Sequence, residues 1–130
     1  SEACVYATTL KFPTNLKVTM NSNGVITRSS LGKFKVNVAK GPNCKVKSGG
    51  FHVTSPWYNQ DIKQVTGSIN KSFTYSMKAF VKKNKSKFKS KCKSKKEISI
   101  PIKYHSFAIS NGGVSKNQQG QSSSFTLKCI

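Results

Sequence analysis

Apolar and polar residues alternate along most of this chain. Leu16, Val18 and Met20 are separated by Lys17 and Thr19, and Phe34, Val36 and Val38 by Lys35 and Asn37. Ile69, Phe73, Tyr75, Met77 and Ala79 share odd positions, opposite in parity to Ser72, Thr74, Ser76 and Lys78. Ile98, Ile100 and Ile102 share even positions; Phe125, Leu127 and Cys129 share odd ones. A period of two marks strands with one apolar and one wet face. Residues 5–12 read as a first strand that stops at Pro13.

Turn signals separate these runs: Asn23-Gly24, Gly41-Pro42-Asn43, Ser48-Gly49-Gly50, Ser55-Pro56 and Asn111-Gly112-Gly113. Asn-Gly and Gly-Gly supply the backbone conformations that tight hairpins need. No stretch has the caps and the 3.6-residue period of a long amphipathic helix. The pattern predicts an all-β fold, an antiparallel β-sandwich of the Ig-like or a similar Greek-key type, with about seven to nine strands. Neither a linker nor an internal repeat divides the chain, so residues 1–130 read as one domain. Residues 113–124 are polar, with almost no apolar anchor, and read as a loop between the last two strands.

Composition changes the picture by its charge. The chain carries 23 Lys or Arg against 3 Asp or Glu, a formal net charge of +20. Arg28 is the one arginine, and Glu2, Asp61 and Glu97 are the acids. The hydrophobic fraction is 35%, but 8 Phe, 4 Tyr and 1 Trp supply core material that a disordered basic tail lacks. No run approaches the roughly 20 apolar residues of a membrane span. Three acids and two histidines leave little for acid–base or metal chemistry. A triad could draw only on His52 or His105 with Asp61 or a glutamate, and no G-x-S-x-G elbow is present. A nuclease using His52, His105 and a lysine is the one enzymatic arrangement the composition readily permits. The two histidines fall in strand-like stretches and read as ordinary surface or rim residues. No catalytic residue, cofactor or metal is expected.

Cys4, Cys44, Cys92 and Cys129 show no C-x2-C spacing, and neither histidine lies at zinc-finger distance from them. Two disulfides are the expected reading, which implies an oxidising compartment. Of the three possible connectivities, Cys4–Cys44 with Cys92–Cys129 closes loops of similar size and joins predicted strands. Such loops contribute on the order of 3–4 kcal/mol each in the chain-entropy model. The chain reads as a mature secreted or periplasmic form after signal-peptide removal.

Residues 82–96 hold nine lysines: Lys82, Lys83, Lys85, Lys87, Lys89, Lys91, Lys93, Lys95 and Lys96. From 83 to 95 every odd position is Lys. In an extended strand these ammonium groups would share one face at roughly 6.6 Å spacing, within the Debye length of about 8 Å at physiological salt. Phe88 and Cys92 would take the other face. A hairpin or loop is the expected form. A helix competes, because Val81, Lys85, Phe88 and Cys92 fall at i, i+4, i+7 and i+11, but it would have no acid to pair at i+4. A few lysines suffice to protect an edge strand; nine in fifteen residues point to a polyanion surface. Lysine without arginine suits delocalised attraction and not base readout. Lys33, Lys35, Lys45 and Lys47 are secondary basic candidates, and Trp57 with Tyr58 could stack on a ligand ring.

The placement of Cys4 at the first strand and Cys44 after Phe34-Lys-Val-Asn-Val resembles the inter-strand disulfide of Ig-like bacterial pilin subunits. The likeness covers a spacing over the first third of the chain, and the basic middle departs from it. The expected function is a secreted, non-enzymatic protein that binds a sulfated glycan such as heparin, anionic lipid headgroups or extracellular nucleic acid. Its alternatives are a cationic membrane-active toxin or antimicrobial protein, and an adhesin or pilin-like subunit.

Overall fold

The computed structural model describes residues 6–40, 46–55, 59–63, 72–93, 96–110, 115–117 and 120–130. Its strands are β1 (Tyr6–Lys11), β2 (Lys17–Met20), β3 (Ile26–Ser29), β4 (Leu31–Lys40), β5 (Val46–Thr54), β6 (Asn59–Lys63) and β7 (Ser72–Ser76), then β8 (Glu97–Ser110), β9 (Ser115–Asn117) and β10 (Gln121–Cys129). Two short helices, α1 (Lys78–Lys83) and α2 (Lys85–Lys91), stand between β7 and β8. One sheet has the order β1-β4-β7. The other runs β3-β2-β10-β8-β5-β6, with β9 also paired to β8. The fold is mostly β in two sheets.

Alternation in the sequence becomes alternation in burial. Leu16, Val18 and Met20, then Phe34 and Val36, then Ile100, Ile102 and Tyr104, then Phe125 and Leu127 all enter one core. The sheets meet through aromatic rings. Phe34 of β4 stacks on Phe51 of β5 at 4.8 Å, and Phe12 lies 4.7 Å from Tyr104 of β8. Thr8 of β1 and Ser106 of β8 share a buried hydroxyl–hydroxyl hydrogen bond of 3.0 Å across the same contact. Fourteen-residue β8 is the spine, pairing with β10 along residues 97–104 and with β5 along residues 103–110.

Several expectations need correction. Most ladders are antiparallel, but β10 runs parallel to β2, with Leu127 opposite Val18 and Cys129 opposite Met20. Periodicity shows which face a strand buries and is silent on its direction. Ser48-Gly49-Gly50 is not a turn but part of β5, where Gly49 and Gly50 are buried between neighbouring strands. Gly50 pairs with Lys63 on one side and Phe107 on the other, a central place in the sheet. The strand through residues 69–79 was expected to run on to Ala79, yet β7 ends at Ser76 and Ala79 is exposed on α1. Part of the polar stretch 113–124 is strand: β9 covers Ser115–Asn117, and Gln121 to Ser124 pair with residues 104–101 of β8. Main-chain bonding to β8, not apolar burial, makes those strands. The Cys92–Cys129 disulfide is formed, whereas Cys4 and Cys44 lie outside the described residues.

Tyr104 is fully buried among Phe12, Phe34 and Phe51, and its hydroxyl has no hydrogen-bond partner among the described residues. Burial, with a smaller contribution from Tyr75, holds that hydroxyl protonated well above the ordinary tyrosine range. A buried, unpaired hydroxyl costs more than its removal. Tyr104→Phe is therefore expected to raise stability by about 1 kcal/mol in urea unfolding; a loss of stability would show that the hydroxyl is satisfied.

Candidate polyanion-binding site

Residues 82–93 are helical or turn, not extended, which corrects the expected hairpin or loop. The physical reason lies in relative magnitudes. Like-charged pairs at i+4, such as Lys78–Lys82, Lys85–Lys89 and Lys87–Lys91, each cost about 0.2–0.5 kcal/mol. Burying Phe80, Val81 and Phe88 completely gains about 1.5–3 kcal/mol per side chain. Phe80 and Phe88 converge on Phe125 of β10, with the three ring centroids 6.0–6.3 Å apart. Burial wins by several-fold.

Local bonds fix where the helices begin and break. The Lys78 amide donates to Ser76 Oγ at 3.1 Å, and that hydroxyl meets Ser29 Oγ of β3 at 2.6 Å. Asn84 ends α1 and starts α2: its backbone is non-helical at φ −127°, ψ 42°, and its carbonyl accepts from Lys87 and Phe88. Cys92 closes α2 and is tied to Cys129 at the end of β10. The segment is thus held at both ends and from below.

The lysines project from this frame. Lys82 and Lys83 occupy the last turn of α1; Lys85, Lys87, Lys89 and Lys91 lie on α2; Lys93 follows the disulfide, and Lys96 precedes β8. All are exposed. Lys95 lies outside the described residues. The single-faced row expected of a strand is replaced by two directions of display. Lys85 and Lys89 lean over the turn joining β2 to β3, while Lys87 and Lys91 take other positions around the helix.

That turn is built by Asn21, whose carbonyl accepts from Gly24 and whose Oδ1 accepts from the amides of Asn23 and Val25. Gly24 has φ +78°, a conformation that side chains disfavour. A Cβ there would also lie 2.8 Å from Lys85 Cε and 3.2 Å from Lys89 Cδ. The aliphatic stems of the two lysines cover the glycine, leaving their ammonium groups farther out. Two clefts flank the turn. One, of about 220 Å³, is lined by Gly24, Val25, Ile26, Lys78, Lys82 and Lys85. The other, of about 450 Å³, is lined by Asn21, Ser22, Lys93, Lys96, Ile130 and the Cys92–Cys129 bridge. The sequence holds no acid between Asp61 and Glu97. Glu97 is half exposed and faces Lys17 across 3.5 Å.

The remaining candidates lie elsewhere. Lys33 and Lys35 are on β4 of the three-stranded sheet, and Lys11 pairs with Lys35, forming a second basic row. For Lys47 only the backbone, in β5, is described. Lys45, Trp57 and Tyr58 lie outside the described residues.

Sequence reasoning missed two groupings. One is the gathering of Lys78 and the residue 21–25 turn against the lysine helices, which no local spacing signals. The other is the histidine pair. His52 of β5 and His105 of β8 are directly opposite, with rings stacked 4.7 Å apart, and Asp61 of β6 occupies the position paired with His52. Both imidazoles are half-buried on the side of the sheet opposite Phe51 and Tyr104. No His/Cys/Asp/Glu group of three gathers as a metal site among the described residues.

No protein-family model, curated protein or solved structure matches this chain. Its function must be argued from its own residues.

The frame makes a prediction about its anchor. Replacing Cys92 and Cys129 by Ser opens a bridge between residues 37 apart and is expected to cost about 3–4 kcal/mol in denaturant unfolding. Tryptic cleavage within residues 85–93 should accelerate with it. Unchanged cleavage there would mean that the ring cluster alone fixes α2.

Proposed function

We propose that this is a secreted, non-enzymatic binding protein that engages a polyanion through the lysines of residues 82–96, joined by Lys78. In this reading the two sheets are the layers of a sandwich that carries the helix pair, and Cys4 bonds Cys44. The observation that carries the reading is an acid-free lysine cluster displayed on helices pinned by Phe80, Phe88 and Cys92. A solubilising surface needs no such anchoring; a binding surface gains from it, because less conformational freedom is lost on association. Lysine heads on flexible stems act as point charges, so the attraction is delocalised and sensitive to salt. Sulfated glycan, lipid headgroups and nucleic acid backbones all offer the required charge. The Cys92–Cys129 disulfide supports an oxidising location.

Heparin chromatography tests the proposal. The wild-type chain should elute well above physiological salt, and the variant with Lys85, Lys87, Lys89, Lys91 and Lys93 changed to Ser should elute much earlier. On single-stranded DNA the magnitude of the log Kd against log salt slope should fall by about 0.7 for each phosphate contact removed. Equal elution of both forms would sink the assignment to this segment.

The stacked histidines are not assigned a reaction in this reading. Incubation with RNA is accordingly expected to leave it intact, for the wild type as for His52→Ala and His105→Ala. Cleavage by the wild type that either substitution abolishes would establish a nuclease.

A further inference from the structure

The exposed apolar side chains identify which polyanion this face suits. Among the described residues the large hydrophobics left exposed are Val25 at 50%, Leu31 at 71% and Ile130 at 62%. Two of them stand beside the lysine segment. Val25 lines the cleft with Lys78, Lys82 and Lys85, and Ile130 lines the cleft with Lys93 and Lys96. Leu31 opens β4 opposite Ser76, the hydroxyl that receives the first amide of α1. Val25 and Ile130 therefore share the region around the residue 21–25 turn with ammonium groups, while Leu31 lies beyond the far end of β3.

A sulfated glycan offers charge and hydroxyls, and gains little from aliphatic neighbours. Single-stranded nucleic acid is gripped by aromatic platforms on which bases stack, and Val, Leu and Ile provide none. An anionic bilayer offers both complements: phosphates at the surface, and an apolar layer just beneath them. Lysine stems follow apolar side chains into the headgroup region and keep their charges at phosphate depth. No helix among the described residues is long and apolar enough to cross a membrane, so the contact required is with the surface.

We propose that this face docks on an anionic phospholipid bilayer, with Val25 and Ile130 entering the headgroup layer and Lys78, Lys82, Lys85, Lys89, Lys93 and Lys96 engaging lipid phosphates around them. The inference rests on the polyanion reading and adds an apolar requirement that the reading itself lacks. That requirement separates the two.

The test is co-sedimentation of the full chain with vesicles of phosphatidylcholine, with and without 30% phosphatidylglycerol, at about 0.15 M salt. Heparin elution and thermal unfolding are recorded for every variant. The wild type should bind the phosphatidylglycerol vesicles and not pure phosphatidylcholine. Changing Val25 and Ile130 together to Ser should weaken vesicle partitioning roughly tenfold and leave heparin elution and melting unchanged. Lys82→Ser with Lys85→Ser and Lys89→Ser should weaken both vesicle binding and heparin binding. Vesicle binding indifferent to the apolar substitutions would overturn the inference, as would heparin or RNA binding without vesicle binding. Failure to bind heparin and vesicles alike would overturn the polyanion reading beneath it.

Discussion

Everything distinctive about this molecule depends on Phe80 and Phe88 being buried against Phe125. The segment that carries them has lysines on nearly every turn and no acid of its own. Left to itself it would spread its charges as far apart as the chain allows. Ring burial beneath it outweighs the repulsion above it, since each buried aromatic contributes about 1.5–3 kcal/mol and each helical lysine pair costs a few tenths. The disulfide from Cys92 to Cys129 acts at the same place, fastening the end of α2 to the strand on which Phe125 lies. The charge is concentrated where the core can hold it.

β10 is the strand that makes this possible. It lies between β8 and β2, antiparallel to the first and parallel to the second, so Phe125, Leu127 and Cys129 face the core from the middle of a sheet and not from its edge. Beside it, β2 leads into the Asn21–Gly24 turn, which the helix lysines cover. One consequence is that segments far apart in sequence build the two clefts. Another is that two exposed aliphatic residues, Val25 of the β2–β3 turn and Ile130, meet lysines from a single segment.

Much of this was legible in the sequence. Alternation at residues 16–20, 34–38, 98–102 and 125–129 gave both the strands and their buried faces, because a half-buried strand has to obey a period of two. Asn23-Gly24 announced a turn through the backbone conformation it requires. The lysine segment was legible as a concentration of charge but not in its form. Its odd positions from 83 to 95 are all Lys, a strand-like regularity, while the helical clue was the spacing of Val81, Lys85, Phe88 and Cys92. Propensity could not decide between them, since the deciding partner, Phe125, is 37 residues beyond Phe88. Ser48-Gly49-Gly50 misled for a related reason: glycine occurs inside strands as well as in turns. The histidine pair was invisible because cross-strand neighbours are set by register, which alternation leaves open.

The near exclusion of arginine fits this architecture. Guanidinium groups gain most where a partner of fixed geometry meets their planar fork. A lipid or glycan surface presents phosphates or sulfates at shifting positions, and a rigid fork would find few of them aligned. Lysine divides the task differently. Its backbone is fixed by the helix, its stem covers apolar ground such as Gly24, and only its head remains mobile. A firm base with mobile charges can meet many arrangements of anions with little loss of contact. It also leaves specificity to shape and to the neighbouring Val25 and Ile130. Those aliphatic side chains, more than the size of the charge, decide which polyanion the surface prefers in the proposed reading.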